Sequence, residues 1–356
     1  MIKLNIYICA FYLLTNILFS GAPMGIPKAE AQNSGMENSA IGLIYHRFGE
    51  DKYPTTNVSI EQIDMHINEL TSGNYNVIPL MDAVTTLQSG KKLPARSIII
   101  TVDDAFVSFY KNGWPRFKAA KLPVTLFVST ASVDGNEYGY LSWEQLREMK
   151  NEGLDIQAHS HHHYHLAGRD ATETKREIET SRDRIKQELG IDSKIFAYPY
   201  GEASLTLMNQ VKNAGFIAGL GQHSGGMTSY SNPWYLPRFP VNMRYGEQDR
   251  FKQVINSIGL PVTDMLPADP LLTKDETTNP PAIGFTIAEG VPHITELACY
   301  HSQTGSVNQM EWLGKRHVEL RFNQAFSAGR TRVNCTVPAT DGRWYWLGTQ
   351  YYLKSN

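Results

Sequence analysis

The sequence predicts an α/β fold whose parallel strands form an open sheet or a barrel, followed by a small all-β C-terminal unit. Three observations predict it. Between residues 40 and 245, short apolar runs alternate with helical patterns at least five times, as expected for parallel strands joined by crossover helices. Beyond residue 283 the pattern becomes a series of short β-like runs, which suits a small sandwich. Finally, Asp103-Asp104 and the tract from His159 to His165 each directly follow an apolar run. Catalytic groups collect at that end of the strands in barrels and open parallel sheets. The hydrophobic pattern leaves open whether the sheet closes.

Residues 40–45 are a short apolar strand ending in His46-Arg47-Phe48. Ser59-Ile60-Glu61-Gln62 has the form of a capping box, and Ile63, Ile67 and Leu70 continue at helical spacing up to Gly73. A short β-like piece at 76–80, a helix at 81–88 and a basic loop at 90–96 lead to the strand 97–102. Trp114, Phe117 and Ala120 mark the next helix, and 123–128 the next strand. Ser142-Trp143-Glu144-Gln145 is a second capping box, opening a helix that Gly153 closes. The strand 154–158 carries the histidines. Residues 170–189 then form a long charged helix, whose Glu173, Arg176, Glu177, Glu179 and Lys186 read as a solvated face. Strands at 194–198 and 216–220 flank a helix through Leu205, Met208 and Val211, and 234–241 is extended. After a helix around 248–258 come Pro261, Pro267, Pro270, Pro280 and Pro281. The reading is therefore a catalytic domain at 40–258, a Pro-rich linker at 259–282 and a β domain at 283–356.

The 356-residue chain carries a net charge of −2, which gives no electrostatic case for nucleic acid or an anionic membrane as partner. No feature points to a protein partner. Residues 1–31 read as a secretory signal: Lys3, a mostly apolar run from Leu4 to Phe19, and Ala29-Glu30-Ala31 as a small-x-small site. The run is short for a spanning helix, which needs roughly 20 residues. The expectation is an exported chain, periplasmic or secreted, with an uncleaved membrane anchor as the alternative. Cys9 falls in that segment. Cys299 and Cys335 are then an even pair in an exported chain, so a disulfide is expected between them, two buried thiols being the alternative. Trp344 and Trp346 share one face of the last strands, either stacking on sugars or facing the sandwich core.

Asp103 and Asp104 are adjacent, so an extended chain would send them to opposite sides. A turn after the strand can unite them, one as metal ligand and the other as proton acceptor. Read alone, the pair equally suits a helix cap. The tract 159–165 holds five histidines in seven residues, rarely a core pattern because each buried imidazole needs a partner. His159 and His163, four apart, can converge on a metal. The alternative is a surface tract that binds metal adventitiously. Two imidazoles and one carboxylate make a three-ligand catalytic zinc set with one position open.

Thr101-Val102-Asp103-Asp104 resembles the first motif of the NodB-homology polysaccharide deacetylases, carbohydrate esterase family four. His159-Ser160-x-x-His163 with Leu166 resembles the second, and Phe196-Ala197-Tyr198-Pro199-Tyr200-Gly201 the third. The likeness spans about residues 40–245. It implies a distorted (β/α) barrel, a divalent metal (usually zinc, with cobalt or nickel suited to the same N/O set) and hydrolysis of the acetamide on N-acetylhexosamine units. Carried over, Asp104, His159 and His163 are metal ligands, Asp103 is the general base, and Tyr200 lends its backbone N–H to the oxyanion. His161, His162 and His165 have no role in the family and are expected in the loop, behind the ligands or at the surface.

Two departures from the family pattern are visible. The third motif lacks its usual Arg, and Arg238 in Leu236-Pro237-Arg238-Phe239-Pro240 is the candidate to pair with Asp103 instead. The late Leu-x-His that supplies the general acid is also missing. Leu43-Ile44-Tyr45-His46 resembles that element moved to the front, an arrangement similar to the N-deacetylases of poly-β-1,6-N-acetylglucosamine. His46 is thus the candidate acid for the departing amine. The expected substrate is a polysaccharide or oligosaccharide with N-acetylglucosamine units: biofilm polymer, peptidoglycan or a chitin-like chain. The alternatives are a related metallohydrolase of O-acetyl esters or small amides, or a non-catalytic sugar-binding protein.

Overall fold

The computed structural model describes residues 38–275, 278–307 and 309–355; the signal expected at 1–31 lies outside them. The first sheet contains β1 (Ser39–Tyr45), β2 (Ser97–Asp103), β3 (Val124–Val128), β4 (Asp155–Ala158), β5 (Ile195–Ala197), β6 (Ala218–Leu220), β7 (Gly226–Thr228) and β8 (Phe239–Pro240). Its order is β7-β1-β2-β3-β4-β5-β6, with β8 also on β1 and the short Asn76–Val77 on β2. All pairs are parallel except β1 with β7. The crossovers are α1 (Ile60–Ser72), α2 (Leu80–Gln88), α3 (Trp114–Ala119), α4 (Thr130–Asp134), α5 (Trp143–Asn151), α6 (Ala171–Leu189) and α7 (Leu205–Asn213), with α8 (Gln248–Ile255) following the sheet. Both expected capping boxes form, Ser59 with Gln62 and Ser142 with Gln145.

Closure, which the hydrophobic pattern left open, comes from residues 236–240. Leu236 bridges to Leu220 of β6, and three residues later Phe239 pairs with Leu43 of β1, both in parallel. This segment therefore spans the gap between the first and last parallel strands and gives the sheet its distorted-barrel form. Strand alternation then sorts side chains between the two faces. Ile98, Ile100 and Val102 pack with Ile63, Leu70, Phe117, Leu146 and Ile178 of the covering helices. Ile99 packs with Phe127, Ala197, Leu220 and Leu236 on the inner face, together with Leu80, Ala83, Val84 and Leu87 of α2. Thr101 and Asp103 continue that inner register.

The stretch expected as a linker, 259–282, instead carries strands of the β structure. β9 (Ile258–Gly259), β10 (Val262–Leu266) and β11 (Leu271–Leu272) join β12 (Ile283–Ile287), β13 (Ala298–His301), β14 (Gly305–Ser306), β15 (Met310–Leu313), β16 (His317–Leu320), β17 (Gly329–Pro338) and β18 (Trp344–Leu353). One sheet runs β9-β18-β17-β13-β14 with β11 also on β18; the other runs β10-β12-β16-β15. They share one core that includes Ile258, Phe285, Val318, Val333, Tyr345 and Leu353. The prolines misled because they sit between very short strands, where no ladder donor is lost. The fold of the β unit thus begins at Ile258 rather than near 283. Cys299 and Cys335 are cross-strand partners and are disulfide-bonded. In the chain-entropy picture, closing this 36-residue separation stabilises by about 4 kcal/mol. Among the described residues, no helix is long and apolar enough to cross a membrane.

Trp344 and Trp346 do not face the sandwich core. Trp344 is 40% exposed, and Trp346 packs edge-on against Phe239 of the barrel with ring centroids 5.2 Å apart. Tyr345, the residue between them, takes the core side.

Candidate active site

The three motifs end β2, β4 and β5 at the carboxyl edge of the sheet, with β3 between the first two. Asp103 is the last residue of its strand and is fully buried. Asp104 and Ala105 then adopt left-handed backbone, with φ of 77° and 61°. That reversal breaks the strand alternation and brings both carboxylates into one site. Ser160, His163 and Tyr200 are left-handed too, at φ of 62°, 57° and 60°. Such non-glycine residues are costly and cluster where function requires them.

Around Asp104 three donor atoms converge. Its Oδ1 lies 3.4 Å from His159 Nε2 and 3.3 Å from His163 Nε2, and one ligand atom from each residue falls within a 4.8 Å group. Ligands held at zinc's usual bond lengths with tetrahedral angles lie about 3.4 Å apart. Among the described residues neither Asp104 Oδ1 nor His159 Nε2 has a hydrogen-bond partner, which a buried polar atom rarely lacks. His159 Nδ1 donates to the Ala197 carbonyl at 2.7 Å, which fixes the tautomer that leaves a lone pair on Nε2. Burial pushes the His163 imidazole down to about 4 despite neighbouring Asp104, so it is neutral at neutral pH. Burial also opposes charge on His159 and on Asp104. In both the opposing charges win: the carboxylates raise His159, and the histidines hold Asp104 well below the usual range. The donor set fits a divalent N/O-liganded cation.

Asp103 has a different partner. Arg238, fully buried, reaches its Oδ1 with Nη1 at 2.8 Å and its Oδ2 with Nη2 at 2.9 Å. The guanidinium is held further by Thr101 Oγ1 at 3.0 Å and the Gly221 carbonyl at 3.0 Å. Burial alone would raise the Asp103 pKa, but Arg238 and His159 more than offset it and keep the carboxyl below its ordinary value. Arg238 has this reach because it sits on the segment that closes the barrel.

His46 follows β1 directly and is half-buried. Burial lowers its pKa, while Asp104 and Asp103 oppose that; the imidazole therefore shares the field of the carboxylate pair. Tyr200 lies in the turn after β5, its ring edge-on to His163 with centroids 4.6 Å apart. The other histidines of the tract are pinned elsewhere. His161 Nδ1 pairs with Thr130 Oγ1 at 2.8 Å, His162 Nδ1 with Glu177 at 2.6 Å, and His165 Nδ1 with Glu202 at 2.8 Å.

Two residues here escaped the sequence reading. Glu177, assigned to a solvated face, is 1% exposed and also accepts the His162 backbone N–H at 2.7 Å. Its position could have been found: Thr174, Glu177, Ile178, Ser181 and Ile185 are one helical stripe, and all are buried. Glu202, also 1% exposed, left no such signal.

A carboxylate pair with divided partners, beside two imidazoles at the mouth of a β/α barrel, is a donor set able to hold a divalent cation next to a separate, arginine-paired carboxylate. Residues 90–219 match the family described as polysaccharide deacetylase. The poly-β-1,6-N-acetyl-D-glucosamine N-deacetylase of Staphylococcus aureus (strain MRSA252) is 27% identical over 245 residues, 62% of this chain and 82% of that protein. Among solved structures, the Streptococcus pyogenes deacetylase PplD in complex with acetate aligns with a TM-score of 0.57 at 20% identity, over 61% of this chain and 98% of that one. IcaB from Ammonifex degensii aligns with a TM-score of 0.52 at 21% identity, over 60% and 96%. At these identities the two structures speak for the fold. The chain thus contains a polysaccharide deacetylase domain of the NodB-homology type and is, with its homologues, a hydrolase.

Proposed function

We propose that this chain removes N-acetyl groups from the N-acetylglucosamine units of an extracytoplasmic polysaccharide, releasing acetate, with a divalent metal held by Asp104, His159 and His163. The observation that carries the reading is the division of labour within the carboxylate pair: Asp104 faces two imidazoles at 3.3 and 3.4 Å, while Asp103 is clamped by Arg238. The name of the Staphylococcus aureus relative supports the choice of polymer. Zinc is the first candidate from the ligand set, and cobalt or nickel suits the same atoms. Export is supported by the N-terminal pattern and by the cystine.

When bound, the metal supplies Lewis-acid charge to the acetyl carbonyl and to the attacking water. Asp103, kept ionised by Arg238, accepts the proton of that water. The Tyr200 N–H donates to the developing oxyanion. An amine leaves poorly without a proton, and His46 is the imidazole that provides it. Its lowered pKa makes the imidazolium a stronger acid, with fewer molecules charged at neutral pH.

The test is acetate release from a panel: β-1,6- and β-1,4-linked N-acetylglucosamine oligomers, peptidoglycan, O-acetylated xylan and small acetamides. Activity on an N-acetylglucosamine oligomer should disappear on chelation and return with zinc. Release from xylan alone, or activity indifferent to chelation, would overturn the reading. His46→Gln should lower kcat by about 10²–10⁴ with zinc content unchanged. Zinc lost together with activity would make His46 a ligand instead.

A further inference from the structure

One face of β18 reaches the third motif. Along this strand Tyr345, Leu347, Tyr351 and Leu353 join the sandwich core, and the alternate residues turn to the barrel. Trp346 rests on Phe239, and the Tyr352 ring lies parallel to His165 at 6.0 Å. Between them the strand passes Ser224 so closely that a Cβ at Gly348 would lie 1.9 Å from the Ser224 carbonyl oxygen. That approach lets Gln350, itself 1% exposed, extend its amide to the Tyr200–Gly201 turn. Its Nε2 donates to the Gly201 carbonyl at 2.8 Å and to the Tyr200 carbonyl at 3.2 Å. Tyr235 Oη donates to the same Gly201 carbonyl at 2.8 Å, and Arg330 Nη1 of β17 to the Tyr200 carbonyl at 3.3 Å.

The turn needs such fastening. Tyr200 has φ 60°, a conformation that costs a non-glycine residue on the order of 1–3 kcal/mol and persists only where the surroundings over-determine it. A primary amide carries two N–H donors on one nitrogen, so one side chain can hold two successive carbonyls, those of the two peptides that directly follow the one bearing the Tyr200 N–H. The family match ends at residue 219, far before Gln350.

We propose that Gln350 is a positioning residue for deacetylation: the last strand of the β unit fastens the Tyr200–Gly201 turn so that the Tyr200 N–H faces the acetyl oxyanion. This rests on the proposed deacetylase reading. The β unit is accordingly a structural part of the catalytic site rather than an appended sugar-binding module.

Gln350→Met keeps the length of the side chain and removes its donors. The full-length, zinc-loaded variant is compared with wild type by hydrogen–deuterium exchange of the segment 198–203 and by acetate release from an N-acetylglucosamine oligomer. Exchange in that segment should rise about tenfold and kcat should fall about tenfold or more, since small misplacement of an oxyanion donor is costly. KM, zinc content and exchange in β2 should stay as in wild type. Tyr235→Phe, which removes one bond to Gly201 and keeps Gln350, should give a smaller change in the same two readouts. Unchanged exchange at 198–203 overturns the proposal, and so does raised exchange with unchanged kcat. A rise spread through the whole barrel also overturns it, because Gln350 would then only join the two parts. A wild type that releases no acetate sinks the deacetylase reading itself, whereas the exchange comparison still decides whether Gln350 fastens the turn.

Discussion

His159→Ala is expected to strip the protein of zinc and to reduce acetate release to background, while His162→Ala keeps both. The two residues lie three apart in one tract and are chemically identical, so the contrast tests position alone. His159 is fully buried, with Nδ1 on the Ala197 carbonyl and Nε2 turned to Asp104. Without it only Asp104 and His163 remain, fewer than the three protein ligands a catalytic zinc requires. Loss of an outer hydrogen bond to a ligand typically costs 10–100-fold in metal affinity, and loss of the ligand itself should cost about that or more. His162 is engaged by Glu177 instead. Zinc content after dialysis, measured beside acetate release, decides the matter. Equal zinc in His159→Ala and wild type would remove the basis for the metal centre.

Arg238→Met should lose about 10²–10⁴ in kcat/KM and about 3–5 kcal/mol of stability, because it strands Asp103 as an uncompensated buried charge. Both side chains are inaccessible to solvent, so neither the Coulomb attraction nor the desolvation is relieved by water. Burial then drives the Asp103 carboxyl toward its protonated form, and a protonated acid cannot accept a proton from water. Zinc should stay bound, since Asp104 and the two imidazoles are untouched. Arg238→Lys restores a charge but not the two-pronged grip on both oxygens, and should recover only part of the loss. Urea unfolding gives the stability term and steady-state kinetics the other. Turnover left intact in Arg238→Met would refute the pairing as a functional device.

Much of the site is legible in the chain because local sequence dictates it. The apolar runs before Asp103 and His159 set two parallel strands, and both capping boxes start helices where Ser59 and Ser142 stand. Glu177 was misread although its place on the buried stripe of α6 was there to see. The strands around the prolines at 261 to 270 were also misread, since Ile258–Gly259 and Leu271–Leu272, two residues each, carry no periodicity.

What the sequence determined by itself is the set of chemical groups and their order along strands. Alternation, capping and the Asp and His motifs are properties of a few neighbouring residues. Only the tertiary structure decided three things: that left-handed turns at Asp104, Ser160, His163 and Tyr200 face one another, that residues 236–240 close the barrel and carry Arg238 onto Asp103, and that Gln350 meets a turn 150 residues earlier. The physical reason is separation. These contacts join segments far apart in the chain, and their geometry is set by how strands stack and which edge is left to be filled. No local pattern encodes that.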